Sequence, residues 1–389
     1  MMAVEKVEYN KNRLKKLFLI FIVTAGCLIV GYFALSQLYK LPYFKSIFGI
    51  DLTQPQNNPI LQYVKYISES AEINDAKQNI SIIEIKPAKA ITVKPILAQN
   101  SIFGFETTSS MIERSGGVGG INAGFTHIYG EPSGLVVVDR RILHSGLGNY
   151  PSLICMRDGR ILLEQINARI KIFIGDALIE TDGVNREPNG NESILFTCEY
   201  GSDNRYNKTA ANIYIKDGVV KDVIRSNNAC RISDDELVLT LTGNNSYIAD
   251  TITKGLKVRQ EVQYFPSAGE IRNAYECGSW IVKHGKVVVK QKDDWVGLTT
   301  NREPRTAVGI KQDGTLLMIV VDGRQPGYSE GMTGNELGNF MIGKGVVNGA
   351  MLDGGASSTM IFDGKVVNKP SFMERERIIG AALSVMPQT

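Results

Sequence analysis

Asp-Gly pairs recur along most of this 389-residue chain, and they constrain its fold more than any other feature. They occupy positions 158–159, 182–183, 217–218, 313–314, 322–323, 353–354 and 363–364. Several separate short apolar runs, as Asp217-Gly218 separates IYI from VV. Because glycine accepts a positive φ, such pairs are typical of β-hairpin turns. The pattern predicts an α+β fold with a mixed, mostly antiparallel sheet and few helices.

Short helices are predicted between these strands. One begins at the capping box 333–336 and ends near 343–345, and a second begins at Asn245 and ends at Gly255. A third begins within 110–113 and ends at Gly116. The spacing of apolar residues also predicts a short helix over 60–73.

An uncharged apolar run, LFLIFIVTAGCLIVGYFAL, fills positions 17–35. At about 1.5 Å per residue, a helix of this length nearly matches the hydrocarbon thickness of a bilayer. A cleaved signal peptide is the alternative, but its apolar region usually has only roughly 7–15 residues. Basic residues at 11, 13, 15 and 16 precede the run, which keeps the N-terminus in the cytoplasm. We expect a basic cytoplasmic tail over 1–16, a single-pass transmembrane anchor over 17–36 and an extracellular C-terminal part.

The remainder divides into a predicted stalk over 37–79, which contains the turn-rich break TQPQNNP at 53–59, and a domain over 80–389. Six of the 43 basic and two of the 40 acidic residues lie in 1–40, which leaves the rest with a formal charge of −1. A neutral body lacks the clustered cations that hold a nucleic-acid backbone. We therefore expect no nucleic-acid partner, and the sequence leaves the oligomeric state open.

Cysteines and histidines do not predict a metal site. The four cysteines of the body, at 155, 198, 230 and 277, have no C-x-x-C spacing, and the histidines at 127, 144 and 284 have no helical metal spacing. One or two disulfides and buried free thiols are both compatible with this pattern. We expect neither a metal nor another cofactor.

Candidate catalytic residues follow two predicted buried strands. The apolar run LLMIVV at 316–321 ends in Asp322-Gly323, and the stretch 346–352 ends in Asp353-Gly354. Continuous apolar runs are typical of strands buried on both faces, and Gly-rich turns at strand ends expose backbone on a rigid scaffold. The two aspartates are therefore candidate catalytic carboxylates.

The segment after Asp353 reads GGASST, in which backbone amides and three hydroxyls are able to converge on an anion. It is not a Walker loop, because the Gly-Lys-[Ser/Thr] ending is absent. Arginine guanidinium groups bind phosphate in a bidentate manner. The candidate substrate-binding residues are Arg305, Arg324, Asn122, Gly124, Gly354, Gly355, Ser357, Ser358 and Thr359.

These segments resemble the phosphodiester glycosidase family. The resemblance rests on TAVG at 306–309, VDGRQPG at 321–327, SEGMT at 329–333 and LDGGASSTM at 352–360. It extends upstream to ETTSSM at 106–111 and GINAGF at 120–125, and downstream to VNKPS at 367–371 and to Glu374-Arg375. It covers roughly 80–386. Two positions depart from the family pattern, because Ala123 and Ala356 stand where the family has glycine, and alanine adds a methyl group and disfavours a positive φ.

The resemblance implies hydrolysis of the bond between a sugar C1 and a phosphate that is esterified to a second group. Such chemistry needs a carboxylate beside an oxocarbenium-like centre and charge stabilisation of the phosphate. Asp353 and Asp322 would be the carboxylates, one acting as base or nucleophile, and both retention and inversion remain open because the outcome depends on carboxylate separation. Arg305 and Arg324 would bind phosphate, and Asn122 would orient a sugar or a carboxylate.

The expected substrate is a phosphate-linked glycan of the cell surface or envelope, such as an exopolysaccharide. One alternative is a non-catalytic protein on the same scaffold that binds glycans or assists envelope polysaccharide assembly, since fold alone does not determine function. A phosphodiesterase that cuts the P–O bond on the non-sugar side is the other alternative.

Overall fold

The computed structural model describes residues 59–146, 148–266 and 269–388. The predicted tail over 1–16, the predicted anchor over 17–36 and the predicted stalk up to residue 58 lie outside these residues. Within the described part, no helix has the length and apolar character needed to cross a membrane.

Antiparallel strands dominate the described residues, which confirms the predicted sheet character. The central sheet has seven strands, each antiparallel to its neighbours. Their spatial order is β1 (Val64–Ile73), β2 (Ala76–Ile85), β23 (Leu316–Val321), β22 (Arg305–Lys311), β24 (Val346–Met351), β18 (Trp280–Lys283) and β19 (Lys286–Val287). Every residue of β23 is buried, as the apolar run predicts.

Two five-stranded sheets share an apolar core with the central one. The first has the order β26 (Lys365–Val366), β25 (Met360–Phe362), β4 (Gly119–Asn122), β27 (Ala381–Pro387) and β3 (Ile91–Leu97). The second has the order β6 (Arg141–His144), β5 (Val136–Val138), β17 (Ile271–Glu276), β7 (Pro151–Met156) and β8 (Ile161–Gln165).

The remaining strands belong mainly to a second apolar core. One sheet has the order β11 (Gly183–Val184), β12 (Ser193–Phe196), β15 (Leu237–Thr242), β13 (Ala210–Lys216) and β14 (Val219–Ser226), and in it β11 runs parallel to β12. A three-stranded sheet has the order β10 (Ala177–Glu180), β9 (Asn167–Ile174) and β16 (Val258–Phe265), and β20 (Lys292–Asp293) pairs with β21 (Gly297–Leu298).

Hairpin turns occupy the predicted positions. Asp217-Gly218 joins β13 to β14 and Asp363-Gly364 joins β25 to β26, with all four residues at positive φ. In the same way His284-Gly285 joins β18 to β19. These turns accept the left-handed backbone because glycine supplies the second position without steric cost.

Two of the predicted helices form as α-helices. Helix α2 (Gly334–Gly343) begins at the predicted capping box, in which Thr333 and Glu336 bind each other's backbone amides. Helix α1 (Thr108–Ser115) is capped by the Thr107 side chain and ends at Gly116, which adopts the left-handed conformation at φ 72°. Short 3₁₀ helices cover Leu61–Tyr63, Ala98–Asn100, Cys198–Tyr200, Gly243–Thr251 and Gly355–Ser357.

Two helix predictions are wrong. The helix predicted over 60–73 is mostly strand β1, because all ten of its residues pair with β2, itself held in the central sheet. The helix predicted from Asn245 is the 3₁₀ helix Gly243–Thr251. Its start is tied to Asn191, whose side chain accepts the Asn244 amide at 3.0 Å, and asparagine and serine favour such local bonds over α-helix.

The compact unit begins earlier than predicted. It spans Ile60–Thr389, so residues 60–79 are part of the folded domain rather than of a stalk. Residues of this region also contact helix α2. Asn74 donates to Glu336 in the first turn of the helix at 2.9 Å, and Glu69 pairs with Lys344, just after the end of the helix, at 2.6 Å. The four body cysteines at 155, 198, 230 and 277 are free thiols, as the second alternative predicts.

These boundaries predict the outcome of truncation. A protein that begins at Ile60 is expected to be soluble and to unfold in one cooperative thermal transition. A protein that begins at Ile80 lacks β1 and the first part of β2, and it should melt at least about 5 °C lower, because an exposed β2 edge and the lost α2 contacts destabilise it. Equal melting temperatures for the two proteins would contradict the boundary at Ile60.

Candidate active site

Strand directions bring the predicted site residues to one edge of the central sheet. Strand β22 lies between β23 and β24 and is antiparallel to both, so the C-terminal ends of β23 and β24 lie beside the N-terminal end of β22. Arg305 pairs with Val321, and Ala307 pairs with Met351. Arg305, Asp322 and Asp353 therefore stand at neighbouring strand ends.

Asn122, at the end of β4, connects the sheet of β26, β25, β4, β27 and β3 to this edge. Its Nδ2 donates to the Asp353 carbonyl oxygen at 2.6 Å. Its Oδ1 accepts from Thr306 Oγ1 at 2.9 Å and from the Thr359 amide at 3.0 Å. The side chain is fully buried and its polar atoms are occupied by protein groups. Asn122 thus holds the Asp353 backbone in place.

Asp353 is the less enclosed of the two candidate carboxylates. Its amide donates to the Ala123 carbonyl oxygen at 3.3 Å, and its side chain is half-buried. Burial raises the pKa of Asp353, while the Ser357 hydroxyl, the Arg377 guanidinium and the Gly354 amide favour the ionised form and oppose that rise. A half-buried carboxylate of this kind is suited to act as a base or a nucleophile.

Asp322 has a different environment. Its carboxylate accepts hydrogen bonds from Asn368 Nδ2 at 2.9 Å, from the Lys369 amide at 2.9 and 3.1 Å and from the Tyr328 hydroxyl at 3.1 Å. Only 3% of the residue is exposed, and burial raises the pKa of Asp322 against these bonds. With both oxygens occupied, Asp322 fastens the loops around Tyr328 and Lys369 beside the site.

The loop after Asp353 differs from the predicted nest of free amides. The amides of Gly355, Ser357 and Ser358 donate to carbonyl oxygens of the protein. The Ser358 hydroxyl contacts Thr306 Oγ1 at 3.1 Å. The hydroxyls of Ser357 and Thr359 are buried without a hydrogen-bond partner in the described residues, and Ser357 lies close enough to Asp353 to lower its pKa without reaching hydrogen-bonding geometry.

Glycine is required at several of the predicted positions. Gly355 has φ 59°, and a Cβ on Gly354 would lie 2.8 Å from the Pro304 carbonyl oxygen. A Cβ on Gly124 would lie 2.9 Å from the Tyr275 ring. Neither Ala123 nor Ala356 has a positive φ, so the two departures from the family pattern cause no backbone strain.

Arg305 is a buried cation without an ion pair in the described part of the chain. It is 1% exposed, and it donates from Nε to the Met332 carbonyl oxygen at 2.8 Å and from Nη2 to that of Asn301 at 2.7 Å. Burial lowers the pKa of Arg305, and repulsion by the Arg324 guanidinium lowers it further, while attraction by the Glu303 and Asp293 carboxylates opposes the shift without forming an ion pair. A buried charge without a counter-ion is destabilising, which makes this position receptive to an anion.

Arg324 lies at the same place but is half exposed. Its Nε pairs with Glu303 at 2.5 Å, and a Cβ on Gly355 would lie 3.3 Å from its Nη2. Its backbone is left-handed at φ 59°, which is uncommon for a residue other than glycine. Unlike Arg305, the cations that line a cavity of about 400 Å³ elsewhere on the domain, Lys94, Arg114 and Arg141, all have acidic partners.

Two features of this region were not predicted from the sequence. Arg377, which is exposed, lies two residues beyond the Glu374-Arg375 motif and acts electrostatically on Asp353. A cavity of about 290 Å³ is lined by Ser133, Asn149, Tyr150, Glu276, Asp294 and Trp295. Its lining comes from four separate segments, so only the uncommon tryptophan offered a signal. Among the described residues, no group of three His, Cys, Asp or Glu side chains is arranged to hold a metal ion.

Comparison with known proteins identifies this part of the chain. Residues 201–386 match the family model described as phosphodiester glycosidase. Over this stretch, the chain is similar to the phosphodiester glycosidase family. The stretch contains Arg305, Asp322, Arg324 and Asp353, so the resemblance predicted from the sequence is confirmed where its motifs are densest.

One curated relative and two solved structures extend the comparison. The SPbeta prophage-derived uncharacterized protein YomE of Bacillus subtilis (strain 168) is 34% identical over 173 residues, which cover 43% of this chain and 24% of YomE. The chain thus spans about a quarter of that relative's length.

The structures show similarity of fold. A hypothetical protein from Synechocystis has a TM-score of 0.71 at 16% identity, over 84% of this chain and 62% of that one. A protein of Burkholderia pseudomallei K96243, described as exported, has a TM-score of 0.64 at 22% identity, over 80% of this chain and 74% of that one.

Arg377 allows a test of the Asp353 environment. If Asp353 must be ionised for turnover, kcat/KM falls as the pH drops through its pKa, which burial places above the usual 3.8. Removing the Arg377 charge raises that pKa, so Arg377→Gln should move the acidic limb of the pH profile to higher pH. Arg375→Gln, an exposed change two residues away, is the control and should leave the limb in place. Identical profiles for the two variants would contradict the coupling.

Proposed function

We propose that this protein is a hydrolase that cleaves the bond between a sugar C1 and a phosphate in a glycosyl phosphodiester. The match of residues 201–386 to the phosphodiester glycosidase model supports glycosyl-phosphodiester hydrolysis in general. The observation that carries the proposal is Arg305, a buried guanidinium without an acidic partner in the described residues, beside the loop that follows Asp353. A substrate phosphate supplies the missing counter-ion.

The phosphate is held from the β22 and β23 side of the site. Arg305 and the half-exposed Arg324 repel each other, and an anion between them removes that repulsion. A guanidinium binds two phosphate oxygens in parallel, which also fixes the orientation of the ester. As the C1–O bond breaks, its electrons remain on the phosphate, and the arginines stabilise that developing charge.

Asp353 acts at the carbon. In a direct displacement it takes a proton from water while the water oxygen bonds to C1, and in a two-step route its own oxygen bonds to C1 before water releases the sugar. Both routes give a free sugar and a phosphomonoester. Asn122 and Asp322 hold the surrounding backbone, and they are positioning residues in this scheme.

The membrane and surface assignments belong to the same proposal. The apolar run at 17–35 and its preceding basic residues support an anchor that leaves the domain outside the cell. At that location a phosphate-linked glycan of the surface or envelope is the substrate class we propose.

Asp353→Asn tests the catalytic assignment. Asparagine is nearly isosteric and is tolerated in turns, but it does not ionise, so the variant should keep its melting temperature and lose about 1000-fold in kcat/KM. The substrates are methyl esters of sugar 1-phosphates. Methyl phosphate plus free sugar is the expected product pair, whereas sugar 1-phosphate plus methanol would indicate P–O cleavage. A variant with near wild-type turnover would exclude Asp353 as the catalytic carboxylate.

Arg324→Lys tests the phosphate site. Lysine keeps the charge but loses the planar pair of donors, so we expect a loss of about 2–4 kcal/mol in kcat/KM and weaker competitive inhibition by inorganic phosphate. The melting temperature should change little, because Arg324 is half exposed. Arg305→Lys should lose both phosphate affinity and stability, since Arg305 also binds two buried carbonyl oxygens. Normal phosphate inhibition in both variants would place the phosphate elsewhere.

A further inference from the structure

The cavity of about 290 Å³ beside the site has two kinds of wall. Trp295 and Tyr150 provide aromatic surface, and Glu276, Asp294 and Asn149 provide polar groups, with Ser133 completing the lining. Aromatic surface combined with a few convergent polar groups is the usual composition of a small-molecule site.

Contacts between strands place this cavity next to Asp353. The Trp295 ring stacks on Phe125 at a centroid distance of 5.5 Å and an angle of 14°. Phe125 lies two residues after Ala123, whose carbonyl oxygen accepts the Asp353 amide. The Phe125 ring also packs against Gly278, where an added Cβ would lie 2.6 Å from the ring. Gly278 in turn donates to the Met351 carbonyl oxygen at 2.7 Å.

The order of strands places the arginines and the aromatic cavity on opposite sides of Asp353. In the central sheet β24 lies between β22 and β18. Asp353 follows β24, Arg305 begins β22, and Gly278 precedes β18. The arginines therefore lie on the β22 side of Asp353, and the aromatic cavity lies on its β18 side.

The walls of the cavity are held rigidly. Asp293 accepts the amides of Trp295 and Val296, both at 2.8 Å, which fixes the turn that carries the indole. Glu276 accepts the amides of Leu135 at 2.9 Å and Tyr150 at 3.3 Å. The Tyr150 hydroxyl donates to Asp294 at 3.0 Å. A preformed site of this kind binds without a large ordering cost.

The charges of the cavity indicate which part of a ligand it binds. Glu276 and Asp294 make the cavity unfavourable for a phosphate, whereas hydroxyl groups are donors that carboxylates accept. The apolar face of a sugar ring packs on an indole, and its hydroxyls reach the polar rim. We infer that this cavity is the sugar subsite of the enzyme, that Trp295 is its stacking platform, and that the ligand is an uncharged monosaccharide ring. This inference rests on the proposed function.

Tryptophan fluorescence tests the inference without turnover, because the chain has only two tryptophans, Trp280 and Trp295. In the full chain carrying Trp280→Phe, Trp295 is the sole reporter. Titration with methyl glycosides of glucose, galactose, mannose and N-acetylglucosamine should give a saturable change with at least one of them, and sorbitol should give none. The Trp295→Phe chain should show no change. Absence of a saturable change with every glycoside overturns the inference.

Kinetics distinguish this subsite from the phosphate site. Trp295→Ala should raise KM for the preferred sugar 1-phosphate methyl ester at least about tenfold and leave inhibition by inorganic phosphate unchanged. Tyr247→Ala, a change at a side chain that is 70% exposed on the 3₁₀ helix Gly243–Thr251, is the matched control and should behave as wild type. An unchanged KM for Trp295→Ala overturns the subsite.

Asp353→Asn separates the inference from the proposed function. This variant should retain the glycoside-dependent fluorescence of Trp295 while it loses turnover. A wild-type chain that binds glycosides and phosphate but hydrolyses no ester would reject the proposed hydrolase and retain the subsite. A chain that hydrolyses the esters without any glycoside response would reject the subsite alone.

Discussion

The antiparallel pairing of β22 with both β23 and β24 is the constraint on which the site depends. It aligns two strands that are separate in the sequence, so that the turns after them meet the start of β22 at one edge of the sheet. All three strands are almost completely buried, and a one-residue slip in their register would turn buried side chains toward the wrong face. The core therefore fixes where Arg305, Asp322 and Asp353 stand.

Asn122 links that edge to the five-stranded sheet that contains β4. One buried amide binds the Asp353 carbonyl oxygen, the Thr306 hydroxyl and the Thr359 amide, which belong to three different segments. Removal of a buried side chain of this kind leaves each partner without its hydrogen bond, which is costly in a dry interior. Asp322 acts similarly on the loops around Tyr328 and Lys369. Such bonds hold the strand-end loops in fixed positions.

Electrostatics divide the cleft around Asp353. On the β22 side, Arg305 lacks an acidic partner within the described residues, and Arg324 is near enough to repel it. On the β18 side, Glu276 and Asp294 line the cavity that Trp295 borders. A ligand with a phosphate at one end and a neutral polar ring at the other complements this arrangement. A glycosyl phosphodiester has that distribution of charge, and its C1–O bond lies between the two ends.

The sequence by itself determined the local features of this protein. The Asp-Gly turns, the capping box of α2, the buried runs of β23 and β24 and the dense family motifs from residue 305 onward were all readable, because they depend on neighbouring residues. The helix predicted over 60–73 is wrong, because the pairing of this segment with β2 is not visible in its own spacing of apolar residues. Only the tertiary structure distinguished the environments of Asp322 and Asp353, which follow similar sequence patterns but differ in their hydrogen-bond partners. It alone also brought Trp295, Glu276 and Tyr150 together beside Asp353, because cavity walls come from segments distant in the chain and leave no local periodicity to detect.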